Sequence, residues 1–182
     1  FLAQDRNIVE EAYPGDVVGL YDPGLYKIGD TLCEEDSYSF EKMPRFSPEL
    51  FAKVSVRDTA KYKQYHKGLD QLKEEGAVQL FKIPGTEEII LGVVGELQFE
   101  VFQHRLQAEY GATVDLQRLS YQLARWVIKG DPTDTQMSTS NFLVKDSDGR
   151  QVILFESVFS LNYFQEKHPD VLLCVLEEYG NL

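Results

Sequence analysis

Between Ala52 and Leu119 the apolar residues switch between two periods in the order strand, helix, strand, strand, helix, strand. Ala52, Val54 and Val56 alternate with Lys53 and Ser55, as a half-buried strand requires. Asp58 or Thr59 can cap the helix that follows, because a short side-chain oxygen accepts from the first free backbone N–H groups. Tyr62, Tyr65, Leu69 and Leu72 then fall on one helical face, and Gly76 suits the position just past the last turn. Val78 to Ile83 reads as a second strand and Pro84-Gly85-Thr86 as a turn. Residues 89–94 are apolar throughout, which predicts a central strand covered on both faces. A second helix opens at Gly95-Glu96, carries the stripe Leu97, Val101, Phe102, Leu106, Tyr110, and ends at Gly111. Thr113 to Leu119 is the fourth strand. The arrangement most often found for a βαββαβ order is the split βαβ, or ferredoxin-like, sandwich, with both helices on one sheet face and right-handed crossovers.

The flanks are less regular. Residues 1–42 read as short strands with turns: 16–21 is apolar, Pro14-Gly15 and Asp22-Pro23-Gly24 punctuate, and Gly29-Asp30 bends the chain between Tyr26-Lys27-Ile28 and Thr31-Leu32. Glu34 to Ser37 is a solvated loop. Met43 to Pro48 holds two prolines and reads as a linker. Beyond the fourth strand, 123–128 predicts a further strand or a continuation of the fourth, anchored by Trp126, and 130–139 a polar loop. Asp146-Ser147-Asp148-Gly149 sits between two apolar runs, a hairpin signal. Val158 to Lys167 predicts a helix stopped by Pro169, and Val171 to Leu176 a last strand. A lone hairpin is marginal in water, so this tail is expected to pack onto the middle sheet. The fold class is therefore α+β: partial barrel strands, a ferredoxin-like sandwich, and a C-terminal hairpin-helix-strand extension.

Net charge is −12, and a chain this acidic is a poor default binder of phosphate. The distribution matters more than the sum. Residues 1–48 carry 4 basic and 10 acidic side chains, 49–128 carry 10 and 11, and 129–182 carry 4 and 9. Most of the basic residues sit in the middle, where Arg57, Lys61, Lys63 and Lys67 cluster between the end of the first strand and the start of the first helix. That cluster is either a solvated helix face or a contact for RNA phosphates, with no membrane and no DNA expected as partner.

Little else points to chemistry. No Gly-x4-Gly-Lys-Ser/Thr loop is present to cradle phosphates, and no Asn-Lys-x-Asp to read a guanine. Gly92-x-x-Gly95 precedes a helix, but Glu96 follows directly and repels an anion, which favours close strand-to-helix packing. Asp146-x-x-Gly149 is a hairpin turn; Ser157 stands where a calcium loop needs its bidentate Glu. His66, His104 and His168 are scattered, and Cys33 and Cys174 lie 141 residues apart without metal-ligand spacing. No catalytic, cofactor or metal residue is assigned.

A family resemblance covers nearly the whole chain. Ala3-Gln4-Asp5-Arg6, Glu10-Glu11-Ala12-Tyr13-Pro14-Gly15-Asp16-Val17-Val18-Gly19-Leu20 and Ile28-Gly29-Asp30-Thr31-Leu32 resemble the end of the second-domain β-barrel of translational GTPases. Phe46-x-Pro48-Glu49-Leu50-Phe51 and Lys67-Gly68-Leu69-x-Gln71-Leu72 are similar to the release factor 3 family in particular. So are Gly92-x-x-Gly95-x-Leu97-Gln98-Phe99, Ala124-Arg125-Trp126-Val127 and the closing run Tyr163 to Val171. The resemblance implies a barrel remnant over 1–45 and an α+β domain over 46–182, with a core at 49–128 and an extension at 129–182. It implies a cytoplasmic fragment whose parent is a ribosome-dependent GTPase that removes class I release factors. GTP and magnesium would be held N-terminal to Phe1, and this part would contact small-subunit RNA and protein. Alternatives are the third domain of another ribosomal GTPase, such as elongation factor G or a ribosome-protection protein, and a ligand-sensing ferredoxin-like domain.

Overall fold

The computed structural model describes residues 8–23, 25–26, 29–34, 38, 40, 46–132 and 140–176. The expected features at 27–28, 35–37, 41–45 and 133–139 lie outside them. Eight strands form one sheet in the order β4-β1-β3-β2-β6-β7-β5-β8, antiparallel at every neighbour. The strands are β1 (Leu50–Val56), β2 (Gln79–Lys82), β3 (Ile89–Val93), β4 (Val114–Leu119), β5 (Leu123–Lys129), β6 (Asn141–Asp146), β7 (Gln151–Phe155) and β8 (Leu172–Cys174). The helices are α1 (Tyr62–Glu74), α2 (Glu96–Tyr110) and α3 (Val158–Lys167). The chain is α+β.

The first four strands interleave two crossover units. The unit β1-α1-β2 straddles β3, and the unit β3-α2-β4 straddles β1. This is the split βαβ arrangement. One sheet face, including Ala52, Val54, Leu80, Leu91 and Val93, packs against Tyr65, Leu69 and Leu72 of α1 and Phe99, Phe102 and Leu106 of α2. All five residues of β3 are buried, as its unbroken apolar run requires.

The opposite face is covered by the rest of the chain. Phe51, Phe81 and Ile90 join Ala124, Trp126, Val144, Val152 and Leu154 in a second core. The Phe81 and Trp126 ring centroids lie 6.2 Å apart. Beyond it, α3 places Leu161 and Phe164 on Ile153 and Phe155. Layers therefore run from helices through half-sheet, core and half-sheet to helix. Strand β5 pairs with β7 and β8, so the interleaved unit itself spans β1 to β4. The two halves of the sheet are joined by hydrogen-bonded pairing only where Phe81 faces Asp146 and Lys82 faces Lys145.

Three local expectations change. Leu97 is 68% and Val101 46% exposed, because the buried face of α2 is Phe99, Phe102 and Leu106. The buried face is rotated about the helix axis toward Phe99, which leaves Leu97 and Val101 lining an open hollow with Leu72 and Val78. Gly92 serves the face away from the helices: a Cβ there would lie 2.7 Å from the Phe81 ring and 3.0 Å from Pro48. The glycine that admits close helix packing is Gly68, where a Cβ would meet Leu106 at 2.5 Å and Tyr110 at 2.9 Å. Among the described residues from 8 to 40 no strand is present. The turns there do form: Tyr13 N–H donates to Asp16 Oδ2 at 2.8 Å, and Leu25 N–H to Asp22 Oδ1 at 2.9 Å. A turn closes on neighbours in sequence, whereas a strand needs a second strand.

Candidate nucleic-acid interface

The basic cluster sits where β1 hands over to α1. Asp58 accepts the Ala60 N–H at 2.9 Å and starts a single 3-10 turn, Thr59–Lys61, that leads into α1. Lys63 and Lys67 are exposed one turn apart, and Lys61 is half-buried. None of these three lysines has an ion pair among the described residues. Arg57 differs. Its Nε and terminal nitrogen approach Asp115 Oδ1 at 2.7 and 2.6 Å, and that hydrogen bond and charge hold its pKa above the usual guanidinium value. Of the four residues singled out by sequence, three are unpaired cations and one is already partnered.

Aromatic packing sets the angle of this helix start. Tyr62 and His66 rings meet edge-on at 4.3 Å, and Tyr65 and His66 at 5.1 Å. The Tyr65 hydroxyl reaches the Val54 carbonyl at 3.5 Å, and burial pushes its pKa up. Tyr62 remains 47% exposed, so the buried stripe of α1 is Tyr65, Leu69 and Leu72 with Gly68.

Two lysines at the same end of the sheet escape any linear reading. Antiparallel register puts Lys82 of β2 directly opposite Lys145 of β6, and both are exposed. They are 63 residues apart in the chain, and only the pairing of the C-terminal hairpin with β2 brings them together. No signal in the sequence indicates which strand that hairpin joins.

Other anion and metal readings close on geometry. At the start of α2 the Gln98 side chain accepts Val94 N–H at 2.8 Å and Gly95 N–H at 3.2 Å, so two of the backbone donors leading into the helix are already taken. Glu96 in the same turn pairs with Arg118. Asp146 is a structural hairpin residue. It accepts from Trp126 Nε1 and from the Asp148 and Arg150 backbone N–H groups, each at 2.9 Å. No cluster of three metal-ligating side chains occurs among the described residues, and no helix there is long and apolar enough to cross a membrane.

The profile of "Class II release factor RF3, C-terminal domain" matches residues 40–165, and that of "Elongation factor G domain 2" matches residues 1–35. The chain is 50% identical over 175 residues to a peptide chain release factor 3 of Symbiobacterium thermophilum, covering 94% of this chain and 33% of that protein. It is 46% identical over 178 residues to the protein of that name from Listeria welshimeri, covering 97% and 34%. It is 47% identical over 175 residues to that of Staphylococcus carnosus, covering 95% and 34%. The chain thus spans about a third of the length of these curated relatives. With the profile covering well over half of it, the chain belongs to the class II release factor RF3 C-terminal domain family.

Proposed function

We propose that this chain is the ribosome-contacting C-terminal region of a translation-termination GTPase that promotes removal of class I release factors. The observation that carries the reading is the family match across 40–165, which takes in the one stretch of the chain where basic and acidic side chains are nearly balanced. The chain has no phosphate loop and no guanine-reading motif, so on this reading the nucleotide chemistry belongs to a part of the longer protein outside this chain, which spans about a third of its relatives. GTP and magnesium belong there, in a cytoplasmic protein. Here the work is attachment. Lys61, Lys63 and Lys67 would neutralise phosphates of small-subunit RNA while the acidic flanks face away. Arg57 would contribute only by giving up Asp115.

Co-sedimentation of the 182-residue chain with small ribosomal subunits tests this across a salt series. Lys63→Glu with Lys67→Glu should weaken binding and lower the salt slope by about 2, since each phosphate contact contributes about one unit. Unchanged affinity and slope in a folded double variant would leave the cluster a solvated helix face.

A further inference from the structure

We propose that Lys82 and Lys145, opposed across the join between the two half-sheets, belong with Lys61, Lys63 and Lys67 to one surface that binds the phosphate backbone of RNA. The inference deepens the ribosome-contact reading and rests on it.

Topology puts the five cations at one end and on one face. Strand β1 ends at Val56 and α1 begins a few residues later, so the start of α1 lies at that end of the sheet. Strand β2 returns from α1 parallel to β1, because both pair antiparallel with β3. Its last residue, Lys82, is therefore at the same end. The paired row runs Val54, Ile89, Lys82, Lys145, Gln151. Val54 and Ile89 lie in the core beneath α1 and α2, so the row faces the helix side. The apolar floor stops at Ile89, and the next three positions are Lys, Lys and Gln.

The pair has no stabilising role in the fold. Like charges directly opposite one another on an antiparallel pair are destabilising. Here they occupy one of only two residue pairs by which β2 and β6 are joined. The carboxylates of this end are committed elsewhere. Asp58 caps the 3-10 turn, Asp115 holds Arg57, Glu88 holds Lys53, and Asp146 and Asp148 hold the hairpin and Arg150. Exposed Glu87 is the one acid of the β2–β3 connection without an ion pair or side-chain hydrogen bond among the described residues, against the two strand lysines, Lys61 at the end of the 3-10 turn, and Lys63 and Lys67 on α1. A phosphate between Lys82 and Lys145 would relieve their repulsion.

RNA fits better than an acidic peptide. A peptide adds to a free strand edge or fills an apolar groove. At this row β2 and β6 are interior strands, already paired on both sides, and the exposed floor is polar. Separated lysines act as point charges suited to phosphates along a backbone.

The test is fluorescence anisotropy of the 182-residue chain with a fluorescein-labelled RNA duplex, over a salt series, with thermal melts of every variant. Lys82→Gln with Lys145→Gln should weaken binding and lower the salt slope by about 2. Lys145→Glu alone should raise the melting temperature, since it removes the like-charge pair, while weakening RNA binding. A lowered melting temperature for Lys145→Glu would make the lysine a fold requirement and overturn the proposal. If Lys63→Gln with Lys67→Gln lowers the slope and the strand pair does not, the strand lysines are outside the surface and the ribosome-contact reading stands. If neither pair changes the slope, or the parent chain does not bind the duplex, both fail. Competition by polyglutamate as strong as by unlabelled RNA would assign the surface to acidic protein instead.

Discussion

Residues 8–40 and residues 46–176 are both rich in apolar side chains, yet among the described residues only those of the second stretch are folded over a core. In the first, Ile8 is 98%, Tyr21 90% and Val17 101% exposed. In the second, Ile90 is 1% and Leu91 0% exposed. Val17 and Ile90 both sit in short apolar runs that read as strands. The difference is the company each keeps. Ile90 has β1 and β2 on either side and an apolar layer on its face. Val17 has no hydrogen-bonded neighbour strand among the described residues. A run of apolar residues is permission for a strand. The ladder and the covering layer are what stabilise it.

The largest expected effect breaks that comparison directly. Ile90→Asp would bury an unpaired carboxylate between β1 and β2 and cost several kcal/mol, on the order of the whole stability of a domain. Val17→Asp, at a fully exposed position, should stay within about 0.5 kcal/mol. Denaturant titration of both variants checks the contrast. Equal losses would mean that 8–40 is packed in solution.

A middle-sized effect sharpens it within the folded part. Gly68→Ala improves helix propensity by about 1 kcal/mol, which would stabilise an isolated helix. In this fold the new Cβ meets Leu106, which is fully buried, and the Tyr110 ring. Overpacking costs about 1–3 kcal/mol, so the net change should be destabilising by roughly 1 kcal/mol. A higher melting temperature for this variant would show that α1 and α2 do not cross at Gly68.

The smallest effect is electrostatic. Arg105 pairs with Glu75 and Glu109 and thereby joins α1 to α2. Its hydrogen bond and charge hold the Glu109 carboxyl below the usual value. A depressed carboxylate contributes stability above its unfolded pKa and loses it as pH falls through the folded one. The melting temperature should therefore decline slightly on acidification through the carboxylate range. Arg105→Gln should flatten that decline. No difference between the two pH profiles would show that solvent and salt screen the pairing completely.

Much of the fold was legible because its signals are local. Helix α3 spans Val158–Lys167 as its pattern and Pro169 predict. The Gly111 C-cap has a φ of 65°, which a glycine tolerates best. The Asp146 turn closes on its own neighbours. The stripe on α2 misled because Leu97 and Val101 fit a helical period as well as Phe99 does. Which face is buried depends on the layer beneath, and burial of the larger Phe99 and Phe102 removes more apolar area from water. The candidate site divides in the same way. Lys61, Lys63 and Lys67 adjoin in sequence and were visible as a cluster, whereas the pairing of Arg57 with Asp115 spans 58 residues and was not.

Periods of two and 3.6, capping residues and turn glycines are properties of a few consecutive residues, and they determined the order βαββαβ, the hairpin and the final helix. The near-neutral middle and the absent nucleotide motifs were likewise present in the chain as written. Tertiary structure alone decided that β6 joins β2, that β5 leaves the interleaved unit for β7 and β8, and that Lys82 meets Lys145. Strand pairing is a contest among all backbone edges of the molecule, settled by which combination buries Phe51, Phe81, Ile90 and Trp126 together. That choice is a sum over distant contacts, and no window of the sequence contains it.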